Sequence, residues 1–142
     1  MGAWGVDTFD NDDACDWCGK LEGSKNLALV EASLDAVFRD EYLEAPTACD
    51  ALAACEVVAR LRGNWGKQNP YTVSVDSWVR SHPQMPSNAL IQKAMEAIDR
   101  ILADNSELKQ LWEEGADEEK SAAGFSTPWL ASVADLRNRV EG

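Results

Sequence analysis

Hydrophobic residues recur at helical spacing along most of the 142-residue chain. Apolar positions three or four residues apart form one face of a helix, whereas the strict alternation typical of strands never extends beyond a few residues. Three stretches show the helical pattern most clearly, namely 27–38, 90–102 and 129–140. We therefore predict an all-α protein, a compact single-domain bundle of five to seven helices that spans residues 1–142.

The stretch from Ala51 to Leu61 differs from the others because it is apolar on nearly every side. Only Glu56 and Arg60 interrupt it, four residues apart and in the order that favours an ion pair on a helix. A helix that is apolar all round belongs in the middle of a bundle. We expect a structural Glu56–Arg60 pair there, with a binding or catalytic role for Glu56 as the alternative.

Polar residues and glycines mark the expected ends of the first three helices. The acidic stretch 10–13 would cap the first helix, and Ser24 would cap the second. Thr47 and Asp50 have the spacing of a shifted capping box at the start of the third helix. Gly63 would end that helix, because glycine readily adopts the left-handed conformation common at helix C-termini.

Two segments lack this regularity. Residues 1–9 contain two glycines and the aromatic residues Trp4 and Phe9, and we expect burial of these rings to pack an extended N-terminal arm on the bundle. Residues 63–86 are interrupted by glycine and proline, so they predict an irregular connection with one short helix over 75–81.

The chain is strongly acidic, with 25 acidic and 13 basic residues and a formal net charge of −12 at pH 7. That charge repels phosphate, so we expect neither nucleic-acid nor membrane binding. With no secretory signal and no apolar run of ~20 residues, a cytoplasmic protein is expected. Residues 60–93 alone are basic, with five bases against one acid, and we interpret them as a connection whose charges pair with their neighbours.

The N-terminal segment carries a distinctive motif, Met1-Gly2-x-Trp4-Gly5, followed by Phe9-Asp10-Asn11-Asp12-Asp13-Ala14 and Asp16-Trp17. Together with stretches 51–59, 106–108 and 111–113, this motif resembles a bacterial family, domain of unknown function 4259. The chain departs from that pattern at Cys15, Cys18 and Cys55, where small or aliphatic residues would be expected. The resemblance implies a small soluble bacterial protein and transfers no catalytic residue.

Five aspartates between positions 7 and 16 could offer oxygen ligands to a hard cation. Their spacing lacks the central glycine and the distal glutamate of an EF-hand loop. We therefore interpret this run mainly as a helix cap, with Asp10 bonding the backbone and with Asp12 and Asp16 on one face of the first helix.

The four cysteines include a C-x-x-C motif at Cys15 and Cys18, which raises redox or zinc chemistry. Neighbouring carboxylates would raise the thiol pKa and so disfavour a redox role. A second zinc-binding pair would need Cys49 and Cys55, which lie on different faces of a helix. We therefore expect four free thiols, no metal and no cofactor.

The sequence contains no recognisable nucleophile, nucleotide-binding or dinucleotide-binding motif, and we assign no catalytic residue. We expect a protein-interaction or accessory module whose acidic surface meets an unidentified, basic protein partner. The candidate surface residues are Asp10, Asp12, Asp13, Asp16, Glu56, Glu118 and Glu119. The alternative is a metal-dependent hydrolase or small-ligand-binding protein that uses Asp10, Asp12, Asp16 and Glu56.

Overall fold

The computed structural model of the chain describes residues 7–116 and 128–142. Within these ranges every regular element is a helix, which confirms the all-α prediction, and the single β-bridge is isolated. None of these helices is both long and apolar enough to cross a membrane. In chain order they are α1 (Asp12–Glu22), α2 (Ala28–Ala36), α3 (Ala45–Leu61), α4 (Val73–Ser81), α5 (Asn88–Ile101), α6 (Glu107–Ala116) and α7 (Pro128–Glu141).

Helix α3 lies at the centre of the bundle and packs against each of the other six helices. All ten residues from 51 to 60 are buried, as their nearly continuous apolar pattern predicts. The helix ends at Leu61, and Gly63, two residues further on, has a left-handed φ of 89°. The N–H groups of Gly63 and Asn64 bond back to the carbonyls of Arg60 and Ala59, both at 2.9 Å, and this Schellman-type ending confirms Gly63 as the stop.

The predicted start of α2 is wrong. The hydroxyl of Ser24 donates to the carbonyl of Lys20 and so helps to close α1 rather than to open the next helix. Helix α2 begins four residues later, where the side chain of Asn26 accepts the N–H of Ala28 at 2.9 Å. The connection thus contains two polar residues that could bond a helix end. Ser24 bonds the end of α1, and Asn26 bonds the start of α2.

The capping box predicted at Thr47 and Asp50 is also wrong, because no side chain near the start of α3 caps it. The N–H of Ala45 instead donates to the carboxylate of Glu107 at 2.8 Å, from the first turn of α6. The N–H of Glu107 in turn donates to the carbonyl of Leu43 at 2.8 Å. The start of the central helix is therefore completed by another helix, and we call this reciprocal contact the α3–α6 clamp.

The part of the N-terminal arm that the structure describes lies against the core. Phe9 is only 3% exposed, as predicted, and the guanidinium of Arg60 lies 5.7 Å above its ring. Trp4 lies outside the described residues. The irregular connection 63–86 contains α4, which begins two residues before the predicted 75–81.

Candidate functional site

A buried ion pair lies at the middle of α3. Glu56 and Arg60, one helical turn apart, are in direct contact, which confirms the pair predicted from their spacing. Arg60 also donates through Nε to Oδ1 of Asp76 on α4, at 2.7 Å. All three side chains are buried, and Glu56 is only 5% exposed. The pair is therefore part of a larger network that reaches a second helix.

A second arginine, which the sequence analysis did not predict, enters this network from α7. Arg139 contacts the two carboxylate oxygens of Glu56 through Nη1 and Nη2, at 3.0 and 3.2 Å. Its Nε donates to Asp135 at 2.8 Å, one turn earlier on α7. This two-point contact between a planar guanidinium and a carboxylate is a strong and directional arrangement. We call Glu56, Arg60, Asp76 and Arg139 the ion network.

Hydroxyl groups complete the ion network. Thr8 donates to Oε2 of Glu56, and Thr72 donates to Oδ2 of Asp76, each at 2.8 Å. No buried side-chain nitrogen or oxygen in the described ranges lacks a hydrogen-bond partner. With two cations and two anions the network is neutral, and both oxygens of Glu56 are occupied. Glu56 is therefore placed to hold helices together and is not free to act as a base or a metal ligand.

The backbone after α3 is shaped around Arg139. A Cβ atom added at Gly66 would come within 2.8 Å of the Arg139 guanidinium carbon, so a larger residue here would require that group to shift. Beside it, the guanidinium groups of Arg60 and Arg80 lie 5.9 and 5.1 Å from the ring of Trp65. Several charges of the basic segment 60–93 are thus engaged with their neighbours.

A cleft of about 320 Å³ opens above the ion network. It lies between the turn that precedes α1, the loop that follows α3, and α7. Its lining residues, which we call the cleft residues, are Asp7, Thr8, Phe9, Asp10, Glu56, Arg60, Lys67, Asn69, Thr72, Pro128, Ala131, Ser132, Asp135 and Arg139. The cleft thus combines a buried ionic floor with a rim of partly exposed polar side chains.

Asp10 belongs to the cleft and does not cap α1, so this part of the prediction is wrong. The cap is Asn11, whose side chain accepts the N–H of Ala14 at 2.8 Å. Asp10 instead accepts the N–H of Asp7 through Oδ2 at 3.2 Å. The amide of Asn11 thus caps α1, and the carboxylate of Asp10 closes a tight turn at the rim of the cleft.

The four carboxylates named for a metal-dependent alternative do not converge. Asp10 and Glu56 line the cleft, whereas Asp12 and Asp16 are exposed on α1 and are not cleft residues. In the described parts of the chain, no group of three or more His, Cys, Asp or Glu side chains is placed to hold a metal ion. Glu118 and Glu119 lie outside the described residues.

Asp13 and Asp16 on α1 lie near a third carboxylate, Asp50 of α3. Burial raises the pKa of Asp50 to about 6, with Lys20 acting to lower this pKa and Asp13 and Asp16 acting to raise it. Burial is the main cause of this raised pKa, and Asp13 and Asp16 each add to it more weakly than Lys20 opposes it. We call Asp12, Asp13, Asp16 and Asp50 the acidic face.

The four cysteines are all free thiols. Burial raises the pKa of Cys18 and Cys49 to about 12, and it also raises the pKa of Cys55. The pKa of Cys15 is raised by burial and then by Asp12, Asp16 and Asp10, as the sequence predicts for a thiol among carboxylates. Thiols with raised pKa values are poor nucleophiles at neutral pH, so the C-x-x-C motif lacks the activation that a redox site needs.

The fold and the site define a class of protein, an all-helical domain built around a central helix that carries a buried ion network. The model of the family described as Domain of unknown function (DUF4259) matches residues 2–123, and the chain belongs to that family. The resemblance noted from the opening motif is thereby confirmed. No curated protein and no solved structure matches the chain significantly.

Proposed function

We propose that this chain is a binding module that recognises a basic protein through the acidic face on α1 and α3. The observation that carries the proposal is the grouping of four carboxylates without an ion-pair partner on that face. Asp12, Asp13, Asp16 and Asp50 take part in none of the ion pairs formed among the described residues. Lysine or arginine side chains of a partner would supply the missing positive charge.

Several other acidic residues of the bundle are paired within the fold. Lys93 bridges Glu31 and Asp35 between α5 and α2, at 3.2 and 2.8 Å. Arg137 of α7 pairs with Asp99 of α5 at 2.9 Å. These carboxylates are already neutralised within the fold. The acidic face instead groups unpaired carboxylates around Asp50, whose pKa Asp13 and Asp16 act to raise, and this grouping makes it a candidate for charge-guided association.

Asp50 adds a prediction about protons. Because its pKa is raised to about 6, a part of the molecules carry a neutral Asp50 just below neutral pH. A cation bound beside it would lower that pKa, so association would release a proton and would strengthen as the pH rises from 5 to 7.

The test compares two triple variants with the same change in net charge. Asp12→Asn, Asp13→Asn and Asp16→Asn neutralise three carboxylates of the acidic face. The control set, Glu41→Gln, Glu44→Gln and Glu96→Gln, neutralises three exposed glutamates outside it. Proteins captured by the wild type from host extract are identified by mass spectrometry, and the association rate of the purified partner is then measured with each variant. Circular dichroism checks that both variants are folded.

We expect association with the acidic-face variant to be about tenfold slower, and the control to stay close to the wild type. The wild-type rate should fall as salt shortens the screening length from about 30 Å at 0.01 M to about 8 Å at 0.15 M. Equal losses with the two variants would show that only net charge matters. A rate that responds to neither salt nor the substitutions would reject charge as the means of recognition.

Small-ligand binding is the second candidate function, and the cleft is the observation in its favour. The cleft brings Asp10 and Glu56 together but leaves out Asp12 and Asp16. We therefore keep small-ligand binding in the cleft as the second candidate, without a metal centre built from Asp10, Asp12, Asp16 and Glu56.

We also propose a bacterial cytoplasmic location. The free, mostly buried cysteines support it, because unpaired thiols are typical of a reducing compartment. Fractionation of the host cells followed by immunoblotting would test it, and recovery of the protein outside the cytoplasm would reject it.

A further inference from the structure

We infer that the cleft receives a cationic side chain, arginine or lysine, from a basic protein partner. The inference rests on the proposed function for the nature of the partner, and on the cleft residues for the chemistry. It assigns to the cleft a role distinct from that of the acidic face. The acidic face would attract the partner over a distance, and the cleft would hold one of its side chains.

The floor of the cleft is rigid and offers no free charge. Arg60 uses Nε for Asp76, Nη1 for Glu56 and Nη2 for the carbonyl of Lys67, the last at 3.0 Å. Both oxygens of Glu56 are held by arginines. A ligand would therefore meet a preorganised polar surface that need not rearrange, which lowers the cost of binding.

The rim carries the charge that selects the ligand. Asp10 and Asp135 each use only Oδ2 in hydrogen bonds within the described residues, so the Oδ1 atom of each carboxylate is available to a donor. Asp7 is already engaged, since its oxygens accept from Ser132 and Lys67 at 3.1 and 2.8 Å. The exposed ammonium of Lys67 is paired with Asp7, and the charge of Asp10 acts on it more weakly. Asp135 shares Arg139 with Glu56, so Asp135 and the ion network together carry one net negative charge, and Asp10 contributes another. This surplus is available to a positively charged group.

The remaining lining suits an aliphatic stem. Phe9, Pro128 and Ala131 give the cleft apolar wall area between its charged groups. Arginine and lysine side chains bury their methylene stems against such surfaces while the charged end finds polar partners. The volume, about 320 Å³, lies at the lower end of the range for small-ligand pockets, which suits a single side chain.

An anionic ligand fits this cleft poorly. It would meet the free carboxylate oxygens of Asp10 and Asp135 at the rim. It would also have to displace Glu56 from Arg139, because those guanidinium contacts are already made. The geometry therefore favours a donor of positive charge.

The experiment uses a matched pair of small probes with the full-length protein. N-acetyl-arginine methylamide presents an arginine side chain without charged termini, and N-acetyl-citrulline methylamide has nearly the same shape but no charge. Titrations of isotope-labelled protein are followed by NMR at the backbone amides of the cleft residues and at the Nε–H of Arg139. We expect the arginine probe to bind with a dissociation constant on the order of 1 mM and the citrulline probe at least tenfold more weakly.

Variants locate the binding. Asp10→Asn and Asp135→Asn keep a side-chain oxygen that can accept the hydrogen bonds now made through Oδ2, but each removes a charge from the rim. We expect each to weaken the arginine probe about three- to fivefold, and the double variant about tenfold. Glu41→Gln, at an exposed site away from the cleft, is the control and should leave the affinity unchanged. Equal binding of the two probes, or equal affinity in the double variant and the control, would overturn the inference.

The result is distinguishable from that for the proposed function. The acidic-face triple variant should bind the arginine probe as the wild type does, because its substitutions lie outside the cleft. Loss of probe binding in that variant would contradict a separate cleft site. Conversely, if the probe binds but no basic protein associates with the wild type, the assignment to a protein side chain is overturned, and a free amine or guanidine is the ligand that the cleft accepts.

Discussion

Replacement of Glu56 by glutamine tests the ion network most directly. The substitution preserves the shape of the side chain but leaves Arg60 and Arg139 with only Asp76 as a counter-charge inside the network. Glutamine also presents an NH₂ group where Arg139 now finds an acceptor, so two donors would face each other. Removal of one partner from a buried pair costs about 3–5 kcal/mol, because the remaining charge stays desolvated and unpaired. We expect the free energy of unfolding to fall by about 4 kcal/mol.

The measurement is urea unfolding at pH 7 followed by circular dichroism, with thermal unfolding as a second readout. In a domain of this size, a loss of about 4 kcal/mol corresponds to a melting temperature lower by roughly 12 °C. The control is Asp99→Asn, which breaks the pair with Arg137 where Asp99 is 57% exposed. Exposed pairs contribute at most about 1 kcal/mol, so the control should change stability little.

A compensating substitution provides the refutation. Arg139→Gln in the Glu56→Gln background removes one anion and one cation, and leaves Arg60 paired with Asp76. The double variant should therefore lose less than the sum of the two single losses. If the Glu56→Gln loss is no larger than that of Asp99→Asn, or if the single losses simply add, the charges are not coupled in the way the geometry indicates.

Three further predictions concern other parts of the fold. The raised Asp50 pKa penalises the ionised form in the folded state, so stability should fall as pH rises from about 4 to about 6. Asp50→Asn should then stabilise the protein by about 1 kcal/mol at pH 7.5, a value reduced for solvent screening, and should give no gain near pH 4. Urea unfolding at the two pH values measures this, and an equal effect at both would contradict it. Gly66→Ala should lower stability by about 1–3 kcal/mol because it displaces the Arg139 guanidinium. Gly19→Ala, at an open helix position in α1, should instead raise stability by up to about 1 kcal/mol. Equal melting temperatures of the two variants in thermal unfolding would contradict this difference. Phe9→Ala should cost about 3–5 kcal/mol in the same assay, and an unchanged melting temperature would show that its ring contributes little to the core.

Periodicity was sufficient to predict the helices and the central position of α3. Glu56 and Arg60 are four residues apart, so their contact follows from the geometry of one helix and can be predicted locally. Asp76 and Arg139 lie 16 and 83 residues from their partners in the network. Their contribution depends on how α4 and α7 pack on α3, and no spacing along the chain contains that information. The only signal was that Asp76 is the one acid in the basic segment 60–93.

Helix ends were predicted less well, for a related reason. Several polar residues near each start have the right chemistry, and tertiary contacts decide which one is used. At α1 the acidic run contained an amide, Asn11, that took the capping role and left Asp10 for the cleft. At α3 the helix begins at Ala45, so Thr47 lies inside the first turn and cannot cap it, and Glu107 reaches the backbone from α6 instead.

The α3–α6 clamp has a consequence for the order of events during synthesis. The residue that completes the start of α3 comes 62 positions after Ala45. At about 5–20 residues per second, roughly 3–12 s separate the appearance of the two residues on the ribosome. During that interval the central helix of the bundle lacks the contact that completes its first turn, while the earlier helices are already able to pack against it. The last step of assembly at this end of the bundle is therefore the docking of α6, a contact between distant parts of the chain that belongs to the slow class of folding events.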